Sequence, residues 1–191
     1  MGFQEQCKVK FITIGYIEWR KGQDILAEAI EQLPSDVAEL SEFVIVGQNT
    51  SAMAKKIFEK ISSLPNVSMP GTVSRDEVHK LLCKADMLIC PSREDPMPTV
   101  CAEAMMHKTP CLVSDAIGTA VYIKNGYDGV LFESENVGML KEKIIWAVKN
   151  RYELKKMGNL SYKIYKDIFS EEAFEKNLLM YVEEMIGKSG R

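Results

Sequence analysis

The chain has 191 residues, of which 46% are hydrophobic and 27% are charged, and these proportions are ordinary for a globular protein. Its 24 Lys and Arg residues and 27 Asp and Glu residues give a formal net charge of -3, so no overall electrostatic attraction draws it to nucleic acid or to an anionic membrane. Any phosphate group must therefore bind at a local site. No apolar run approaches the ~20 residues of a membrane span, and the N-terminal sequence MGFQEQCKVK lacks the apolar stretch of a signal peptide.

The first half of the chain alternates apolar runs with amphipathic segments. Short continuous apolar runs predict strands at residues 9–15, 43–47 and 67–69. Apolar residues at helical spacing predict one helix that opens at Gly22 and stops at Pro34, and a second helix over residues 51–64.

The second half continues this alternation. Ser74 and Glu77 form a capping box, in which the hydroxyl caps the helix while Glu77 reaches back to the cap, and this predicts a helix that runs to about Ala85. A further helix is predicted over residues 99–107, and from Val137 onward almost the whole pattern is helical. The predicted strands of this half are residues 87–90, 111–113 and 130–132.

The alternation amounts to about six β-α units, which predict an α/β fold. Because the strands are continuously apolar, the sheet is expected to be buried on both faces. We therefore expect a doubly wound, parallel, Rossmann-like sheet of about six strands, with helices on both faces and a helical C-terminal extension. Residues 1–191 are predicted to form a single domain. Ligands of such folds bind beyond the carboxyl ends of the strands, where the strand order reverses.

The loop after the first strand reads GYIEWRKG, from Gly15 to Gly22. It matches neither the G-x-G-x-x-G fingerprint nor a Walker loop. It does place Arg20 and Lys21 beside a helix N-terminus, which carries unpaired N–H groups and a partial positive charge. Two interpretations stay open here: a clamp for a diphosphate, or a solvated basic turn.

The loop after the fourth strand reads PSREDPMP and leads into a helix. Glu94 and Asp95 are adjacent acids, and Pro98 suits the first turn of the helix, where its missing N–H costs nothing. Glu103 lies about a turn and a half inside that helix among apolar neighbours, where a carboxylate needs a partner. That partner is either a structural hydrogen bond to a loop or the hydroxyl groups of a ligand.

These stretches together resemble the C-terminal, donor-binding domain of the GT-B nucleotide-sugar glycosyltransferases of family 4 (group 1). That family has a strand ending in Pro-Ser, then an acid, seven residues and Glu-Ala-Met. The spacing from Asp95 to Glu103 fits this motif, whereas the spacing from Glu94 is one residue too long. The likeness covers nearly the whole chain, from Gly15 to the glycine turn between Gly126 and Gly129.

The resemblance implies a role for each matching residue. Asp95, with Glu94 sharing the role, would hold the donor sugar, Glu103 the ribose hydroxyls and Lys21 the diphosphate. The residues implied for the donor sugar are Glu94, Asp95, Met97 and Thr99, and the residue implied for the ribose is Glu103. Those implied for the diphosphate are Gly15, Arg20, Lys21 and Val100, and those of the loop that faces the base are Gly71 and Val73. No catalytic residue, metal or cofactor is implied for this domain, and cations with helix N-termini would stand in for a metal.

Three positions depart from the family pattern. Tyr16 replaces an arginine that follows the first glycine, Pro98 replaces a glycine of the sugar-binding turn, and Val121 replaces an acid that precedes the late glycine turn. These departures concern the contacts to the donor's sugar and phosphates. They leave the family assignment intact.

The function implied by the resemblance is that of half an enzyme in polysaccharide biosynthesis. The domain would bind a UDP- or GDP-sugar, and an N-terminal acceptor domain, absent from this chain, would complete a retaining hexosyltransferase, so the single domain is expected to be inactive alone. It would act in the cytoplasm or at the inner face of the membrane, with membrane contact only through the missing parts and no contact with nucleic acid. Two alternatives remain: half of a nucleotide-sugar epimerase, or a non-catalytic module that binds a nucleotide-sugar or a protein.

Several other residues are predicted to be structural. The five cysteines, with no C-x-x-C pair, are expected to be buried, reduced thiols: Cys7, Cys83, Cys90, Cys101 and Cys111. His79 is expected on the exposed side of its helix, and His107 as a cation that suits the end of the Glu103 helix. The apolar stripe of the last helix is expected to pack internally, and it comprises Leu178, Leu179, Met180 and Met185.

Overall fold

The protein folds around one parallel sheet of six strands, flanked by helices, in a computed structural model that describes residues 8–48 and 50–189. Every pair of neighbouring strands is parallel, and the order across the sheet is β3-β2-β1-β4-β5-β6. The strands are β1 (Val9–Ile14), β2 (Ser41–Val46), β3 (Val67–Gly71), β4 (Met87–Cys90), β5 (Cys111–Ser114) and β6 (Val130–Phe132). This confirms the predicted doubly wound, Rossmann-like sheet.

Helices connect most of the strands, and three further helices of the described chain follow the last strand. They are α1 (Gln23–Glu31), α2 (Ser35–Glu39), α3 (Ala52–Ile61), α4 (Arg75–Lys84), α5 (Thr99–Met106), α6 (Val137–Lys149), α7 (Arg151–Ile164) and α8 (Glu171–Ser189). Short 3-10 turns occur at Trp19–Lys21 and Gly118–Tyr122, and a π-helical turn at Tyr165–Phe169 joins α7 to α8. The helical C-terminal extension is therefore confirmed.

Each face of the sheet carries its own hydrophobic core, because successive residues of a strand point to opposite faces. In β1, Phe11 belongs to one core and stacks on Phe43 of β2 with ring centroids 5.0 Å apart. The next residue, Ile12, belongs to the other core together with Leu88 and Met105. Burial on both faces explains why the strands read as continuous apolar runs.

The strand order reverses between β1 and β4. The chain moves outward from β1 through β2 to β3, then returns to place β4 on the other side of β1. The crevice between the carboxyl ends of β1 and β4 is the position where this class of sheet binds its ligands. The two loops that meet there are those selected from the sequence.

Some local predictions were wrong in detail. The first helix ends at Glu31, and α2 forms beyond Pro34, where no helix was predicted. The Ser74 hydroxyl accepts a hydrogen bond from the Glu77 N–H at 3.2 Å, but the Glu77 carboxylate lies 3.6 Å from the Lys80 ammonium instead of closing the capping box. No helix within residues 8–48 and 50–189 is both long and apolar enough to cross a bilayer.

The predictions for the histidines, the cysteines and the last helix also need correction. His79 is half-buried and contacts His107, and Cys83 is exposed, whereas Cys90, Cys101 and Cys111 are buried as predicted. Burial lowers the pKa of His107, and His79 lowers it further, which opposes a permanent cation there. Cys7 lies outside the described residues.

The apolar stripe of α8 does not pack internally. Its large side chains remain exposed to between 43% and 71% of their surface, including Phe174, Leu178, Leu179, Met180, Tyr181, Val182, Met185 and Ile186. Helical spacing alone cannot distinguish a face that packs on its own domain from one that is left uncovered.

Two helical glycines provide a matched test of the packing between α7 and the end of α5. A Cβ at Gly158 in α7 would lie 1.9 Å from the Lys108 carbonyl oxygen, whereas a Cβ at Gly138 in α6 would meet nothing nearer than 3.5 Å. We expect Gly158→Ala to lower the free energy of unfolding by more than about 1 kcal/mol, because helix and loop must move apart. Gly138→Ala should raise it by up to about 1 kcal/mol through helix propensity. Urea denaturation measures both; equal effects would refute the close packing.

Candidate functional site

The loop after β1 and the loop after β4 are held against each other by backbone contacts. The Arg20 carbonyl accepts hydrogen bonds from the N–H groups of Arg93 at 2.9 Å and Glu94 at 3.4 Å. Gly22 adopts a φ of +69°, and a Cβ there would lie 2.0 Å from the Pro91 carbonyl oxygen. Position 22 therefore requires glycine both for its conformation and for this close approach.

An ion pair between Lys21 and Asp95 occupies the centre of the crevice. The side chains are 20% and 9% exposed, so water screens the pair only in part. The Asp95 carbonyl also accepts a hydrogen bond from the Gly118 N–H at 2.9 Å, which connects the loop to the segment after β5. The structure thus brings together a residue predicted for the diphosphate and one predicted for the sugar.

Glu94 and Arg20 lie at the rim of this crevice. The Arg20 guanidinium is 3.1 Å from the Glu18 carboxylate and donates to the Glu94 carbonyl at 3.3 Å. The Glu94 side chain is exposed and forms no ion pair or hydrogen bond with another described residue. Of the two adjacent acids, Asp95 is therefore the one that is built into the crevice.

The N-terminus of α5 opens into the same crevice. The Pro98 carbonyl accepts the Cys101 N–H at 3.1 Å, while the N–H groups of Thr99 and Val100 have no acceptor among the described residues. Pro98 precedes the helix as its N-cap, and no side chain caps this end. Two free N–H groups together with the positive end of the helix dipole favour an anion here.

Glu103 is half-buried on α5, one turn from that N-terminus. It forms no hydrogen bond or ion pair with another described residue, so the alternative of a structural hydrogen bond to a loop finds no support in this part of the chain. Its carboxylate acts electrostatically on His107, where it raises the pKa against the opposing effects of burial and His79. The carboxylate remains available to accept hydrogen bonds.

A cavity of about 200 Å³ lies at the carboxyl ends of β1, β2 and β3, and its lining includes Gly15, Tyr16, Val73 and Val78. Its floor is tightly packed, since a Cβ at Gly47 would lie 1.9 Å from the Gly15 carbonyl oxygen. Gly71, with a φ of +79°, is not part of the lining but accepts a hydrogen bond from the Gly47 N–H at 3.0 Å. The cavity is large enough and apolar enough to take a planar ring system.

The remaining predicted positions surround the crevice. Met97 is 42% exposed, and its sulfur accepts a hydrogen bond from the Thr119 hydroxyl at 3.7 Å. Tyr16 and Val121, which replace charged residues of the family pattern, are 67% and 80% exposed. Neither brings a charge to the crevice.

Arg93 is a central residue of the site that the sequence interpretation missed. Its guanidinium donates to both carboxylate oxygens of Asp24, at 2.8 and 2.7 Å, and to the Trp19 carbonyl at 2.6 Å. It also contacts Glu135 at 2.8 Å and lies 4.9 Å from the centre of the Trp19 ring. Hydrogen bonding to Asp24 is the largest influence that raises the pKa of Arg93. Arg93 thereby joins the loop after β4 to the first turn of α1.

Comparisons with known proteins find similar sequences over most of the chain. Residues 4–166 match the family model described as glycosyl transferases, group 1. An uncharacterized glycosyltransferase of Methanocaldococcus jannaschii is 28% identical over 174 residues, which are 91% of this chain and 48% of that protein. The lipopolysaccharide glucosyltransferase WaaG of Escherichia coli K12 is 28% identical over 130 residues, or 68% of this chain and 34% of that protein.

The same fold occurs among solved structures. The structure of Anabaena HepE in complex with UDP and glucose superimposes with a TM-score of 0.80 at 18% identity, over 93% of this chain and 48% of that chain. The chain thus spans about half the length of HepE and of the M. jannaschii relative.

Substitution of Arg93 tests whether its paired hydrogen bonds hold the two loops together. Arg93→Lys keeps the charge but cannot bind both Asp24 oxygens in a planar fork. We expect it to lower the free energy of unfolding by about 1–3 kcal/mol, the range for hydrogen bonds to charged groups. Arg20→Lys is the matched control, because its pair with Glu18 is exposed and is expected to contribute less than about 0.5 kcal/mol. Equal losses in denaturant unfolding would contradict a special role for Arg93.

Proposed function

The chain belongs to the group 1 glycosyltransferases, and on that premise we propose that it is the donor-binding domain of a family 4 enzyme. It holds a nucleoside-diphosphate sugar while an N-terminal acceptor domain of the same enzyme presents the acceptor, and the glycosyl group is transferred with retention. The observation that carries this proposal is the crevice between β1 and β4, where the Lys21–Asp95 pair faces the open N-terminus of α5.

The diphosphate is assigned to the centre of the crevice. The N–H groups of Thr99 and Val100 would donate to phosphate oxygens, and the Lys21 ammonium would turn from Asp95 towards them. A nucleoside diphosphate is the leaving group of the transfer, so stabilising its developing charge is the contribution that this domain can make to catalysis. Fixed dipoles and Lys21 would supply that charge without a metal.

The sugar and the nucleoside are assigned to the two sides of the diphosphate. Asp95, released from Lys21, would accept sugar hydroxyls together with Glu94, and Met97 and Thr99 would border the same space. On the other side, Glu103 would accept the ribose hydroxyls, and the base would enter the cavity beside Val73. The Glu103 carboxylate supports this orientation, because it forms no hydrogen bond or ion pair within the described part of the chain.

Two relatives support a class of donor and a role for the proposed enzyme. HepE was solved with UDP-glucose, which supports a UDP-hexose, and a GDP-sugar is the competing choice. WaaG is a lipopolysaccharide glucosyltransferase, which supports a role in polysaccharide biosynthesis. We propose the cytoplasm or the inner face of the membrane as the place of that role.

The proposed acceptor domain has structural support in α8. The exposed apolar stripe of that helix is costly to leave in water and is the kind of surface that a second domain covers. Because the acceptor and its site would lie on that domain, this chain alone is proposed to bind the donor without transferring the sugar.

A non-catalytic nucleotide-sugar module is the second candidate. The observation that favours it is that Lys21 and Arg20 are both paired with carboxylates, while Tyr16 and Val121 bring no charge. An epimerase would need an acid/base pair of its own, and no observation on the described residues favours such a pair.

The first test of the proposal is calorimetric titration with UDP, GDP and ADP, for the wild type and Glu103→Gln. We expect one diphosphate to bind, and Glu103→Gln to weaken its affinity by about 1–3 kcal/mol, or roughly 5- to 150-fold, because the neutral amide is a poorer acceptor for ribose hydroxyls. The melting temperature should change little, since Glu103 has no hydrogen bond or ion pair with another described residue to lose.

The matched control is Glu153→Gln, an exposed carboxylate on α7. It should leave the affinity unchanged. If no diphosphate binds the wild type, the proposed function is refuted. If Glu103→Gln binds normally but unfolds early, Glu103 is only a structural residue.

A second test separates the two partners of the central ion pair. Lys21→Met should lose affinity for the diphosphate but not for the bare nucleoside, since only the diphosphate carries the charge that Lys21 meets. Asp95→Asn should bind the diphosphate more tightly than the wild type does, because the acid no longer competes for Lys21. The Lys21 contribution should shrink as salt rises, by screening over a Debye length of ~8–10 Å.

Lys10→Met is the control for the Lys21 substitution, because Lys10 also faces an acid, Glu42 at 3.7 Å, but lies near the opposite end of β1. Titration of nucleoside and diphosphate at two salt concentrations measures these differences. Equal losses for nucleoside and diphosphate in Lys21→Met would mean that the phosphates rely on the helix N-terminus alone.

A further inference from the structure

Cys83, His107 and His79 form a chain of contacts between α4 and the end of α5, outside the donor crevice. The Cys83 sulfur lies 3.1 Å from Nδ1 of His107, and Nε2 of the same ring lies 2.8 Å from Nδ1 of His79. His79 and Cys83 are four residues apart on α4 and therefore share one helix face. His107 approaches them from the residue that follows α5.

Acceptor strength favours one arrangement of the protons along this chain. An imidazole nitrogen is a stronger acceptor than sulfur, so the thiol donates to Nδ1 of His107. His107 then carries its proton on Nε2 and donates it to Nδ1 of His79. Burial lowers the pKa of His107 and His79 lowers it further, against an opposing contribution from Glu103, which favours the neutral ring that can accept a proton.

The same geometry does not suit a metal ion. Cys83 and His79 contact opposite nitrogens of the His107 ring, so the three side chains do not converge on one point. In the part of the chain that the structure describes, no group of three such side chains is placed to hold a metal. The cluster is therefore organised for moving a proton.

Cys83 also differs from the other described cysteines in its accessibility. Cys90, Cys101 and Cys111 are buried, and Cys83 is exposed. A hydrogen bond to Cys101 and burial raise the pKa of Cys90, and a hydrogen bond to Cys111 raises the pKa of Cys101, with burial adding to it. A soluble reagent therefore meets one thiol that is both exposed and next to a base.

We propose that Cys83 is a modification site at which a small-molecule disulfide is attacked, with His107 as the proton acceptor. The Cys83 sulfur forms a bond to one sulfur of the disulfide as the S–S bond breaks, and its proton moves to Nδ1 of His107. His107 returns that proton to the departing thiolate, so the products are a mixed disulfide on Cys83 and one free thiol. His79 orients the ring and accepts the Nε2 hydrogen bond of the imidazolium.

The test measures the rate of mixed-disulfide formation at pH 7 with hydroxyethyl disulfide, in the full chain carrying Cys7→Ser. Intact mass and peptide mapping should find one adduct, on Cys83, and Cys83→Ser should abolish it. His107→Gln should slow the reaction at least about tenfold, because the amide cannot take the proton. His79→Gln should slow it by a smaller factor, because it leaves the proton acceptor in place.

A comparison that needs no variant of the cluster uses the peptide of residues 80–86, KLLCKAD, which has the same flanking charges without either histidine. Cys83 in the folded protein should react faster than this peptide. A rate in His107→Gln equal to that of the wild type, with melting temperature retained, would mean that exposure alone makes Cys83 reactive, and the proposal would fail. It would fail equally if the peptide reacted as fast, or if the adduct formed on a buried cysteine. No nucleotide is present, so the result is independent of the donor site.

Discussion

The contact between the loop after β1 and the loop after β4 is the constraint on which the rest of the site depends. Neighbouring strands are joined by backbone hydrogen bonds along their length, but beyond the ends of β1 and β4 the described backbone contributes only the two hydrogen bonds to the Arg20 carbonyl, and side chains supply the rest. Here two ion pairs do so, Lys21 with Asp95 and Arg93 with Asp24. Both cations are largely shielded from water, where a paired charge is stabilising and an unpaired one is costly. Removing one partner would therefore disturb the loops as well as the charge.

The cations of the crevice are already paired with carboxylates of the protein. Lys21 and Arg20 lie just before α1, whose positive end repels them, and Asp24 in its first turn offsets that repulsion. Under the proposed function, these acids are the groups that a diphosphate would have to displace or tolerate. The free N–H groups of α5 have no such competitor. Under the proposed function, binding would begin at α5, and Lys21 would exchange one anionic partner for another.

Much of the fold could be predicted from the sequence because its signals are local. The central strands β4 and β5 are buried along their whole length and read as apolar runs, and the loops at the strand ends follow from chain order. The five-residue helix α2 was missed because so short a segment has almost no periodicity. The uncovered face of α8 was misjudged because packing within a domain and packing on a partner leave the same pattern. Cys83 was predicted to be buried because it adjoins an apolar run, but each residue of a helix is rotated by about 100° from the one before it, and Leu82 is the residue that faces the core.

In the candidate site too, features that lie within one segment could be predicted, whereas contacts between distant segments could not. The spacing from Asp95 to Glu103 lies on one segment, so the motif could be read directly. The pairing of Arg93 with Asp24 joins positions 69 residues apart, and nothing in either segment identifies the other. In the sequence, an arginine after Pro-Ser looks the same whether its side chain is solvated or is bound by Asp24, Trp19 and Glu135. The same limit applies to Lys21 and Asp95, which the sequence placed in separate subsites and the fold places in contact. Asp95 is therefore first the counter-ion of Lys21, and any role in holding a sugar also requires that it lie where Lys21 can reach it.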